Sequence, residues 1–238
     1  MTTSTPITTC PTFHDLRAFA AGAVAGPDPF GAGRRALPLR PGPVEAGAIV
    51  LAAGSGAAVA DGADLWLHAL TGAVDLTSEA GAIHLAEGAS CVVASGTALR
   101  WRAEADATLV YMRAAAAPGA AALDPIDPTA ELAPSGAPLA ELLIGETPAC
   151  RNATQFRSAD GVFTAGVWDS TPYHRRAMCY GHHELMVLRA GSVTFVDEAG
   201  RAGTFRQGDA FLIERGASCS WESREHVTKL WAIHRPLA

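Results

Sequence analysis

Glycine and tryptophan recur in the same order half a chain apart, and this repeat restricts the chain to folds that can be used twice. In the first stretch Gly42, Gly47, Gly62, Gly72, Gly81, Gly88, Gly96 and Trp101 follow one another; in the second, Gly161, Gly166, Gly181, Gly191, Gly200, Gly208, Gly216 and Trp221 do. Partners lie 119 positions apart from Gly42/Gly161 through Gly81/Gly200 and 120 apart from Gly88/Gly208 onward, so a single residue is inserted. One such pair is chance; eight in register are not. Shared turns at shared spacings predict one supersecondary unit built twice. Any pocket then exists in two versions, and where the versions differ is the clue to function.

Between the glycines the apolar runs are short and rich in β-branched or aromatic residues. Leu65–Leu70, Cys91–Ala94, Leu185–Leu188, Ser192–Val196, Ala210–Ile213 and Lys229–Ile233 are examples. Strands of this length about every ten residues predict an all-β sandwich or barrel. Ser78–Gly81 and its partner Asp197–Gly200 read as hairpin turns. The organisation predicted is an irregular leader over 1–41 with a short helix within Thr12–Ala21, a first barrel over 42–113, and a second over 151–238. Between the barrels, 114–150 carries Pro118, Pro125, Pro128, Pro134, Pro138 and Pro148. That density prevents a long helix or a central strand and predicts a linker wrapped over the surface, with a helical turn within Ala137–Ile144.

The 238 residues carry a net charge of -6, unsuited to a nucleic-acid surface. No apolar run reaches membrane-spanning length, and the Thr-rich segment Met1–Cys10 lacks the order of a signal peptide. Five scattered cysteines without a Cys-x-x-Cys read as reduced thiols, and so as a cytoplasmic protein. A monomer or homodimer is expected.

From Glu184 onward the residues resemble a known family. Glu184-x6-Gly191, then Gly208-Asp209-x5-Gly216 and Trp221, is similar to the two motifs of the cupin superfamily. Gly166-Val167-Trp168-Asp169 and Lys229-Leu230-Trp231 look most like the branch of ureidoglycine aminohydrolase and the ethanolamine-utilisation cupins. The resemblance implies two tandem jelly-roll-type β-barrels, a bicupin, packed as an intramolecular pseudo-dimer. It also implies a metal site of two His, one Glu and a third His, which fall here on Ala177, Cys179, Glu184 and Cys219. The aminohydrolase variant set falls on Ala177, Cys179, His183 and Ser220, of which only His183 is kept. The first half has Ala60, Asp64, Leu65 and Leu99 at these places and reads as a structural half.

The candidate ligands of one divalent metal in the second barrel are therefore Cys179, His183, Glu184 and Cys219, a thiol and imidazole set suited to zinc, iron or copper. Against this, adjacent His183 and Glu184 point to opposite faces of a strand, and free cysteines commonly fill cores. Candidate ligand-binding residues are Tyr173, Arg175, Glu184, Trp221 and Lys229. Tyr173–Arg176 reads as a polar loop at the barrel mouth, able to hold a carboxylate or amide. Trp221 shares strand parity with Cys219, although its partner Trp101 suits a structural role as well. Lys229, the only lysine, points into the barrel or sits on an exposed edge. The functional expectation is a small polar molecule bound in the second barrel. The alternative is a metal-dependent enzyme acting by hydrolysis, deamination or isomerisation on a small nitrogenous acid.

Overall fold

The computed structural model describes residues 13–237, so Cys10 and the leader before Phe13 lie outside the described residues. The first half contains eight barrel strands: β1 (Val44–Leu51), β2 (Gly54–Val59), β3 (Ala63–Thr71), β4 (Val74–Ser78), β5 (Gly81–Leu85), β6 (Ser90–Val93), β7 (Ala98–Ala103) and β8 (Ala107–Ala115). The second contains β9 (Phe163–Ser170), β10 (Tyr173–Cys179), β11 (His183–Ala190), β12 (Ser192–Val196), β13 (Ala202–Arg206), β14 (Ala210–Ile213), β15 (Ser218–Ser223) and β16 (Val227–His234). In the first half β6-β3-β8-β1 faces β2-β7-β4-β5; in the second, β14-β11-β16-β9 faces β10-β15-β12-β13. The order is identical with every label raised by eight, so each half is a jelly-roll-type β-barrel and the chain is all-β, with two barrels in tandem.

The register repeats as closely as the order. Leu65 stands opposite Val93 and Arg113, and Glu184 opposite Ile213 and Ile233. A bulge at Thr108/Leu109 recurs at Leu188/Ala190, where β11 meets β16. The turn glycines have physical reasons to be shared. Gly72 and Gly191 take φ +70° and +75°, and a Cβ on either would run into a backbone carbonyl, of Asp106 or His226.

Alternation along the strands sends side chains to two kinds of core. Leu67, Leu76, Leu85 and Leu109 fill the first barrel, while Met186, Phe195, Phe205 and Phe211 pack inside the second. The opposite faces of the two larger sheets stack together, Trp66, Val110 and Met112 of one against Val167, Leu185 and Leu230 of the other. This third core makes the pseudo-dimer. Each large side chain buried in it contributes roughly 1.5–3 kcal/mol.

Helix α1 (Leu16–Ala20) is capped by Asp15, whose side chain accepts from the Ala18 amide, and buries Leu16 in the inter-barrel core. The segment before the first barrel also crosses to the second: Arg17 donates to the Gly208 carbonyl, and Arg40 pairs with the buried Glu214. Between the barrels, Leu123–Ile126, Ala133–Ser135 and Leu143–Ile144 form short strands, each at the outer edge of a sheet. Edges are where Pro125 and Pro134, lacking an amide N–H, do least harm. The turn within Ala137–Ile144 is a 3₁₀ turn at Ala140–Leu142. Among the described residues no helix is long and apolar enough to cross a membrane.

Candidate functional site

The two barrels share a backbone and differ inside. The first lumen presents Ile49, Leu65, Leu67 and Leu109, with Gly56 beside Trp101. In the second, the same positions hold Trp168, Glu184, Met186 and Lys229, with Arg175 beside Trp221. These six residues of the second barrel, Met186 excepted, line one pocket of about 640 Å³ together with Tyr173, Tyr180, His182 and Trp231. A groove of about 770 Å³ on the smaller sheet of the first half is walled by exposed Thr77, His84, Arg100 and Arg102. It holds no buried polar group.

Lys229 lies at the centre of the second pocket. Its ammonium donates to Glu184 Oε1 at 2.7 Å and to the Met186 sulfur at 3.2 Å. The same nitrogen stands 4.7 Å from the ring centre of Trp168 and 5.3 Å from that of Trp221, in reach of both π faces. The other Glu184 oxygen meets His182 Nε2 at 3.3 Å, and Arg235 at the rim approaches His182 Nδ1 at 3.2 Å. An ordered line thus runs from Arg235 through His182 and Glu184 to Lys229. Burial pushes the Glu184 carboxyl up, but the Lys229 charge and the His182 hydrogen bond outweigh it and hold the carboxyl well below its ordinary range.

Tyr173–Arg176 is not a loop but the start of β10, because it pairs with β15, Arg175 opposite Trp221. Tyr173 stacks on Trp221 at 5.4 Å, and Trp168 meets Trp221 edge-on at 6.0 Å. Trp221 is 2% exposed and its indole N–H donates to Ser223, so it is both wall and packing element. Arg175 is buried and spends three donor contacts on its own wall, to the carbonyls of Arg176 and Cys219 and to the Tyr180 hydroxyl. A guanidinium so engaged is a strut more than a free fork. Arg176 points away and donates to the Glu141 carbonyl.

The four candidate metal ligands do not come together. A bulge in β10 between Arg175 and Met178 puts Met178 opposite Cys219 and Cys179 opposite Ser218. The extra residue reverses the alternation, so Met178 lines the pocket while Cys179 is exposed. Cys219 packs in the barrel core, where burial pushes its thiol up to about 12. His183 faces away from the lumen, and its Nδ1 accepts from the Arg215 amide. Asp64, its partner in the first half, accepts from the equivalent Ser95 amide. The shared role is to cap a turn, and burial holds His183 down to about 4. Of the four, Glu184 alone lines the pocket, with both oxygens engaged. Among the described residues no three His, Cys, Asp or Glu side chains form a group able to hold a metal ion. The residues present do not fit the ion that the motif implies.

Of the five candidate ligand-binding residues, Tyr173, Arg175, Glu184, Trp221 and Lys229, the structure brings all into the one pocket. His182 was the neighbour to name in place of His183, since it shares strand parity with Glu184. Trp168 and Trp231 were also legible, at the sites where the first repeat has Ile49 and Tyr111.

Comparison with known proteins agrees with this architecture. Residues 157–231 match the EutQ-like cupin domain. Cupin-fold neighbours at low identity include a mutant salicylate 1,2-dioxygenase from Pseudoaminobacter salicylatoxidans, at 9% identity and TM-score 0.60 over 95% of this chain and 84% of that one. YlbA from E. coli, of the DUF861 family, is 10% identical with TM-score 0.54 over 93% and 98% of the two chains. Both show the fold alone. No curated protein matches the sequence. Fold and motifs together define a cupin. A much nearer structure, a DUF861-family protein of unknown function from Pseudomonas syringae pv. tomato strain DC3000, is 30% identical with TM-score 0.81 over 96% of this chain and 94% of that one. The chain belongs to the DUF861 family.

Proposed function

We propose that the protein is a bicupin that binds a small polar molecule in its second barrel, the first serving as its structural partner. One observation carries this reading: at matched lumen positions Leu65 and Leu109 become Glu184 and Lys229. An apolar pair would fill the second barrel as it fills the first, and a buried ion pair adds little or no stability in exchange. Polar groups kept where the fold does not need them, beside an open pocket of about 640 Å³, mark a binding site. The cytoplasmic setting and a monomeric or homodimeric state belong to the same proposal. Among the described residues no donor set supports the metal-dependent alternative with its aminohydrolase-like chemistry.

The test is a thermal-shift screen of small acids, amides and amines on the native protein and on a Glu184→Leu/Lys229→Leu double variant, which copies the first barrel. Compounds that stabilise the native protein should fail on the double variant. Compounds that stabilise both equally bind elsewhere, and that result overturns the reading.

A further inference from the structure

We infer that the ligand of the second barrel is a flat carboxylate received by the Lys229 ammonium, which serves as a cation tethered to the fold. The inference rests on the reading of this pocket as a binding site and names the chemistry it selects.

Charge is the first ground. In a chain of net charge -6, the pocket collects Arg157, Arg175, Lys229 and Arg235 against one carboxylate, Glu184. Such a concave, basic patch in an acidic protein concentrates anions. The second ground is the coordination of Lys229. An ammonium has three donors, and the partners here are one carboxylate oxygen and a thioether, a weak acceptor. A buried cation with one strong acceptor has room for a second, and Lys229 lines the open pocket from which it would come. Third, two of the aromatic faces that could receive a cationic ligand are already taken. The π faces of Trp168 and Trp221, which would otherwise cage a cation, already hold the Lys229 ammonium. Last, the walls are flat. Three of the five tryptophans and two of the three tyrosines of the chain line this pocket, and planar walls favour a planar guest.

The experiment titrates the full chain with four probes of similar size: benzoate, benzamide, benzylamine and cyclohexanecarboxylate, followed by tryptophan fluorescence and calorimetry. Benzoate should bind at least about tenfold more tightly than each of the others. The Glu184→Leu/Lys229→Leu variant, folded by circular dichroism, should lose that preference and bind benzoate no better than benzamide. Equal binding of benzoate and benzamide by the native protein overturns the ammonium as receptor while leaving the pocket as a binding site. A preference for benzylamine assigns the site to Glu184 and overturns the inference. Cyclohexanecarboxylate binding as well as benzoate removes the flat guest. Binding of none of the four, with hits from the wider screen absent as well, overturns the inference and the proposed function together.

Discussion

Replacing Glu184 and Lys229 by leucine, singly and together, separates an ion pair kept for function from one kept for stability. Both side chains are 9% exposed, so solvent screens the pair little. Glu184→Leu leaves a buried ammonium with a thioether and two indole faces. Lys229→Leu leaves a buried carboxylate with only His182. Each single change should cost about 3–5 kcal/mol, the usual result of orphaning one member of a buried pair. The double variant restores what Leu65 and Leu109 supply in the first barrel, and its net charge remains -6 because one charge of each sign is removed. It should lie between neutral and a gain of about 1–4 kcal/mol. The coupling between the sites would then reach at least about 6 kcal/mol, two single losses of about 3 each against none for the double variant, far beyond what independent sites show. Urea unfolding measures this directly, with an unchanged denaturant slope confirming that the unfolded reference is the same. A double variant that loses the sum of the two single losses would refute the reasoning, because the pair would then be supporting the fold.

Three other outcomes are expected. Stability should fall with acid from about pH 6.5: His68 and His183, held by burial to about 3 and about 4, bind protons in the unfolded chain first, so their stabilisation is complete above pH 6.5 and is lost as pH drops. The slope in urea titrations should reach at most about 1.4 kcal/mol per pH unit for each histidine, and His68→Val with His183→Asn should flatten it. Thiol labelling of the native protein read by peptide mass should modify exposed Cys179 within minutes and spare Cys91 and Cys219, whose thiols burial pushes up to about 12; a Cys179 as protected as Cys219 would contradict the bulge in β10. Gly191→Ala should cost about 2–4 kcal/mol by thermal unfolding, since a positive φ and a carbonyl both oppose it, whereas Gly200→Ala, with open space around it, should cost about 1–2.

The fold was legible because its constraints are local. Glycines at turns and alternating apolar strands leave their mark on the sequence wherever they occur, and here they occur twice. The contents of the second lumen were legible by subtraction, since Glu184 and Lys229 stand where the other copy has leucines. What was not legible was the bulge between Arg175 and Met178. A bulge is one residue of slack, with no composition of its own, yet it turned Cys179 outward and dissolved the expected ligand set. His183 misled for a related reason. A side chain capping the Arg215 amide and one aimed at a metal look alike in sequence; Asp64 capping Ser95 in the first half was the tell.

Duplication explains how the chain tolerates the chemistry it carries. A lumen built around a paired lysine and glutamate is a poor source of folding free energy, because desolvation consumes most of what their attraction returns. The first barrel has no such burden: its lumen is apolar, and its larger sheet shares the inter-barrel core with the sheet that carries Glu184 and Lys229. Leu185 and Val187 face that shared core, while Glu184 and Met186, one residue away, face the lumen of the second barrel. The two strands that present the ion pair, β11 and β16, are therefore anchored from behind by the barrel that lacks one. A second barrel expressed alone would expose this face, and it should lose its fold before it loses its pocket residues. That order would appear as a collapse of cooperative unfolding in 151–238, with solubility restored by adding back 1–150 as a separate chain. An isolated second barrel that unfolds cooperatively with the stability of the whole would show that the first half contributes nothing to holding the site.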